Sequence, residues 1–121
     1  MASAFFFLRI NNHINYLRRI EKTLVGTGDF QGTVHTACKL GVWMHGEGRA
    51  EAETLGPEAV ALFDELFKPH ELFHEASARA LALKEQGDEA GSKGAITEMF
   101  KLSVTLVNKL TELDKLSTKR S

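Results

Sequence analysis

Residues 67–81, FKPHELFHEASARAL, place an apolar or imidazole side chain at every third or fourth position. Phe67, His70, His74, Ala78 and Leu81 keep the period of an α-helix that turns one stripe toward a core, and Phe63 extends the stripe backwards. Pro69 lies inside the pattern and predicts a kink, because proline removes one backbone hydrogen bond and crowds the preceding turn. Within the stripe, HELFH at 70–74 matches HExxH, a pattern in which two histidines hold zinc and the glutamate acts as general base of a metalloprotease. Whether His70 and His74 serve hydrolysis or another purpose depends on the rest of the chain.

The helical period runs through the remaining sequence, and no stretch alternates β-branched and polar residues over a strand's length. Phe6, Ile10, His13, Leu17, Ile20 and Leu24 mark a first helix that ends at Gly26. A second is predicted over about 33–46, with Val34, Cys38, Gly41 and His45 on one face. HGEGRAEAETLG at 45–56 reads as a polar connection, and Pro57 suits the first position of the third helix. GDEAGSKG at 87–94 reads as the next loop. The last helix carries Met99, Leu106, Leu110 and Leu113, with Phe100 and Val107 widening the face. Four such segments with short connections predict an all-α protein, an antiparallel four-helix bundle.

The 121 residues support a single domain over 1–121, with a core of about 6–113 and a frayed tail at 114–121. A formal charge of −1 and the lack of a basic stripe argue against nucleic acid. MASAFFFL is too short for a secretory signal, and no run approaches the ~20 apolar residues of a membrane span. One cysteine forms no internal disulfide, which fits a cytoplasmic location. Phe5, Phe6 and Phe7 cannot all face one core, so at least one is expected to meet a partner, the face of the last helix being a second candidate surface.

Histidines occupy three inner-stripe positions where leucine would be usual: His13, His70 and His74. Cys38 lies on the inner face predicted for the second helix. Four side chains of zinc-ligand type therefore converge from three helices. Buried histidines can also be satisfied by backbone carbonyls, but three unpaired ones would cost on the order of 1–3 kcal/mol each, and a metal answers all of them at once. His35, three residues before Cys38, stands close enough along a helix to touch the thiol, though no third group orients such a pair. His45 is expected to be solvated at a helix end.

The order of these blocks is distinctive. His13 with Tyr16, then Cys38–Lys39–Leu40–Gly41–Val42–Trp43, then His70 with His74 resembles the chemoreceptor zinc-binding domain, with twenty-four residues between His13 and Cys38 and twenty-six between Trp43 and His70. The resemblance runs from about Phe6 to Leu113. It implies a largely helical, cytoplasmic, homodimeric zinc-binding domain with His13, Cys38, His70 and His74 as ligands. It further implies regulation of bacterial signalling in a soluble chemotaxis receptor or a diguanylate cyclase (cyclic-di-GMP control), and a zinc-bound cysteine that responds to oxidants such as hypochlorous acid. Neither a methyl-accepting hairpin nor a cyclase is present in the 121 residues, so the output partner is expected outside them. Tyr16 stands where the family often has tryptophan, and Asn12 where it often has an acid that could orient a ligand.

A Cys–His₃ set would fill a zinc tetrahedron and leave no position for a catalytic water. Gly41, one turn from Cys38, is expected to let a neighbouring helix approach, and Trp43 to anchor the core. The metalloprotease alternative would need another ligand, for which Glu98 is available downstream. A hemerythrin-like di-iron bundle would need ligands on the last helix, where Glu98 and Glu112 are the available carboxylates and no histidine occurs.

Overall fold

The computed structural model describes residues 3–120, and the side chains of residues 6–118. The described residues form six helices and no strand: α1 (Ser3–Leu24), α2 (Lys39–Met44), α3 (Gly48–Glu53), α4 (Pro57–Asp64), α5 (Phe67–Glu85) and α6 (Glu89–Arg120). None of them is long and apolar enough to cross a membrane.

α1 follows its sequence stripe. Phe6, His13, Ile20 and Leu24 are buried, Ile10 and Leu17 partly so, and Gly26 turns the chain away at φ 85°. Of the three adjacent phenylalanines, Phe6 packs edge-on against Trp43, whereas Phe7 is 68% exposed. The side chain of Phe5 lies outside the described residues.

The second helix, expected over about 33–46, is shorter and starts later. Residues 28–34 have no regular structure, Val34 is 66% exposed, and the helix is confined to Lys39–Met44 with Cys38 as its N-cap. The backbone of Thr33 is bonded instead to side chains of α1 and α5: its N–H donates to the Tyr16 hydroxyl and its carbonyl accepts from His74. Gly41 is indispensable here, but for a reason other than the one expected. A Cβ on it would overlap the carbonyl oxygen of His35, so the close approach is made by the preceding loop rather than by a neighbouring helix.

The third helix is broken, not kinked. α4 starts at Pro57 as expected, yet residues 65–66 form a turn in which Leu66 N–H donates to the Phe63 carbonyl at 3.0 Å. Pro69, which has no N–H to offer the carbonyl of Glu65, then falls in the first turn of α5, where the loss is harmless. The 45–56 connection contains α3, clamped by a hydrogen bond from Trp43 Nε1 to Glu51 Oε1 at 3.0 Å. Trp43 is the core anchor expected of it, 4% exposed between Phe6 and Phe63.

α6 begins earlier and ends later than its sequence suggests. Asp88 accepts from Gly91 N–H at 2.9 Å and caps a helix that absorbs most of the expected 87–94 loop. The helix runs through 115–120, the stretch read as tail, and Ser117 is fully buried. α5 and α6 lie antiparallel. Ser92 Oγ donates to the Ala80 carbonyl near their junction, Arg79 meets Glu98 further along, and Lys109 reaches back to Glu65. Met99, Leu106, Leu110 and Leu113 are completely buried, whereas Phe100 lies at the rim and is 38% exposed.

Gly41→Ala should cost on the order of 1–3 kcal/mol, because the methyl group forces the His35 carbonyl and the Cys38 cap apart. A lowered urea midpoint with an unchanged m-value would show it.

Candidate metal centre

The centre is assembled from the cap of α2 and one face of α5. Cys38 follows a turn at 35–37 and caps the start of α2, and His70 and His74, one turn apart, project from α5 with ring centroids 4.8 Å apart. Each of the three residues offers one ligand atom such that all these atoms lie within 4.8 Å of one another.

The sulfur of Cys38 is held from several sides. It accepts a hydrogen bond from Gly41 N–H at 3.2 Å, lies 3.3 Å from His70 Nε2, and lies 3.6 Å from the His35 carbonyl, to which the thiol donates. Burial pushes the thiol's pKa up, and the backbone N–H groups of Gly41, Leu40 and Cys38 pull it back in part. His35 thus meets the thiol through its backbone, not through the imidazole contact that a helix would have given.

His74 has a fixed tautomer. Its Nδ1–H donates to the Thr33 carbonyl at 2.9 Å and lies 3.2 Å from the Tyr16 hydroxyl, which itself accepts from Thr33 N–H at 2.9 Å. With Nδ1 protonated, the lone pair of the neutral ring is on Nε2. His70 is held differently. Its ring is 1% exposed, and Nδ1 is buried with no hydrogen-bond partner.

His13 stands beside the cluster but outside its tight spacing. It is 2% exposed, its ring lies edge-on to Phe73 with centroids 4.6 Å apart, and its Nε2 is 2.8 Å from Ser103 Oγ on α6. Burial, reinforced by His74, lowers its pKa to about 4. Burial first, then His74 and the three other histidines, lowers that of His70 to about 3, and His74 is lowered as well, again chiefly by burial. All three imidazoles are therefore neutral at physiological pH, the form that binds a metal.

The donor set fits zinc. Ligand atoms around a tetrahedral zinc ion lie roughly 3.3–3.6 Å apart, and the observed separation of Cys38 Sγ and His70 Nε2 is 3.3 Å. The unmatched Nδ1 lies on the other side of the His70 ring from the Nε2 that faces Cys38. The carboxylates considered for other metal chemistry lie elsewhere: Glu98 pairs with Arg79, Glu112 with Lys115, and both are more than half exposed. Glu71 is 44% exposed and faces His35.

Periodicity puts His13, His70 and His74 on inner helix faces, where they are buried, but puts Cys38 on a helix that the structure replaces with a turn and an N-cap, and it gives no sign of their supports. In the sequence Tyr16 reads only as an aromatic partner of His13, and its hydroxyl role depends on a non-helical Thr33 that the sequence reads as helix. Ser103 left a trace: it fills the one gap in the stripe Met99, Leu106, Leu110, Leu113. The side-chain carbonyl oxygen of Asn12 accepts from Arg9 at 3.1 Å.

The family model of the chemoreceptor zinc-binding domain matches residues 13–81, the stretch that holds all the motif blocks. The chain belongs to the chemoreceptor zinc-binding domain family, a regulatory and zinc-binding class. No curated protein and no solved structure matches it.

The depressed histidine pKa values make the stability of the metal-free chain depend on pH. The unfolded chain takes up protons near 6.5, whereas folded His13 and His70 resist them down to about 4 and 3. Stability is then complete above about 6.5 and falls as the pH drops toward 4. Urea midpoints measured in chelator between pH 4 and 7 should rise with pH; a flat profile would contradict the burial of neutral imidazoles.

Proposed function

We propose that the chain is a zinc-binding sensory domain in which His13, Cys38, His70 and His74 hold one ion. The observation that carries this reading is the buried Cys38, His70 and His74 cluster in a chain of this family. His13 is the natural fourth ligand, since Ser103 engages its Nε2 and leaves Nδ1 for a metal. Bound zinc would replace the thiol proton and cross-link helices; it would supply no open position for hydrolysis. The domain is then a regulator rather than an enzyme, and HELFH contributes two ligands without a catalytic base.

Its output follows from connectivity. The ligands belong to α1, the cap of α2 and α5, while Ser103 ties His13 to α6. Occupancy would set how tightly α1 and α5 pack on α6, with α2 to α4 acting as a broken fourth column of an antiparallel bundle. A cytoplasmic signalling domain, of a chemotaxis receptor or a diguanylate cyclase, would read that change. Phe7 and Leu8 on α1, with Phe100 and Val104 on α6, are exposed apolar side chains available to a second copy in a homodimer.

A second reading makes Cys38 oxidation the stimulus. Cys38 helps line a cleft of about 340 Å³ with Asn12, Tyr16 and Thr33, wide enough for a small oxidant. Hypochlorous acid would convert the thiolate to a sulfenic acid with release of chloride, weakening the strongest ligand.

Elemental analysis should find one zinc per wild-type chain and little in His74→Ala or Cys38→Ser. Retention of zinc by both variants would sink the assignment. Ser103→Ala should weaken zinc on the order of 10-fold in a chelator competition, the usual effect of losing a group that orients a ligand. Hypochlorous acid should release zinc from wild type if the redox reading holds, and zinc kept after thiol oxidation would remove it.

A further inference from the structure

The two histidines outside the centre are not scattered. The ring of His35 lies 6.0 Å from that of His70, edge-on, and 6.0 Å from that of His45. His70 in turn lies 4.8 Å from His74. A row of imidazoles thus leads from His45, which is exposed, through half-exposed His35 to the buried pair on α5.

Glu71 completes the outer end. Its Oε2 lies 3.9 Å from His35 Nε2, too far for a hydrogen bond but within the span of one zinc ion, whose bonds to nitrogen and oxygen are each about 2.0–2.2 Å. The two side chains are 33% and 44% exposed, so water can fill the remaining coordination positions. They also line a cleft of about 430 Å³ whose wall includes His74, with Glu75 adding negative charge. At the inner end, His70 Nδ1 is buried without a partner on the very ring that His35 meets.

We propose that His35 and Glu71 form an outer zinc site at the mouth of this cleft, flanked by His45, through which the ion reaches and leaves the inner centre. The proposal rests on the inner cluster being a zinc centre. A hydrated zinc ion cannot enter a buried Cys/His set without shedding water, and shedding it stepwise onto exposed ligands divides the barrier. Two protein ligands and solvent hold the ion loosely; the inner set, with a thiolate and more imidazoles, holds it firmly, so transfer runs inward. Glu71 would be neither a general base nor a bystander, but the carboxylate that first captures the cation.

Equilibrium dialysis against zinc and stopped-flow transfer to a chelating dye test this on wild type, His35→Ala and Glu71→Gln. Wild type should bind one tight zinc and a second, weaker one. Both variants should lose the weaker ion, keep the tight one at unchanged affinity, and load and release it severalfold more slowly. A wild-type chain with one tight zinc, no second ion and exchange rates unmoved by either substitution overturns the outer site alone. Loss of the tight zinc in either variant overturns it too, by making that residue part of the inner set. Wild type that binds no zinc overturns the zinc centre together with it.

Discussion

The hydrogen bonds at the backbone of Thr33 are what the rest of the site depends on. Tyr16 from α1 and His74 from α5 both grip this one residue, and the connection between α1 and α2 is thereby stretched across two helices. That placement delivers Cys38 opposite His70, and it leaves the His35 carbonyl packed against Gly41. The carbonyl that accepts from His74 Nδ1 is also what fixes the tautomer of that ring. One network of polar contacts therefore sets both the backbone path and the chemical form of a ligand.

Around that network the fold holds polar groups where apolar ones would be easier to bury. Neutral imidazoles at His13, His70 and His74, together with a thiol at Cys38, are kept in a closely packed interior by Phe73, Trp43, Phe63 and the α6 stripe. Such groups weaken a core unless each finds a partner. Thr33 and Ser103 provide for two of the histidines, and His70 is left incomplete. A divalent cation with a preference for nitrogen and sulfur suits the Cys38 sulfur and the His70 Nε2 that face each other at 3.3 Å.

HELFH shows how a short motif takes its meaning from its surroundings. The letters match a hydrolase pattern, but the two histidines lie within one cluster with Cys38, whose sulfur is 3.3 Å from His70 Nε2. Glu71, about 100° around the helix from His70, points toward His35 and solvent. The same five residues acquire a different role because another segment of chain arrives beside them.

By itself the sequence determined the helical class, the stripes of α1 and α6, and the identity of the buried histidines. Those depend on periodicity and on residue type, which are local properties. On α5, by contrast, the expected Ala78 is exposed and Phe73, Ala76, Ser77 and Ala80 are buried. The sequence placed His45 in solvent at a helix end, where it lies, but misjudged the 33–38 segment, the break before Pro69 and the reach of α6. Thr33 and Ser103 gain their importance only from residues that lie 41 and 90 positions away in the chain. Contacts over such separations are chosen by the packing of whole helices, so the tertiary structure alone decided which nitrogen and which sulfur face one another.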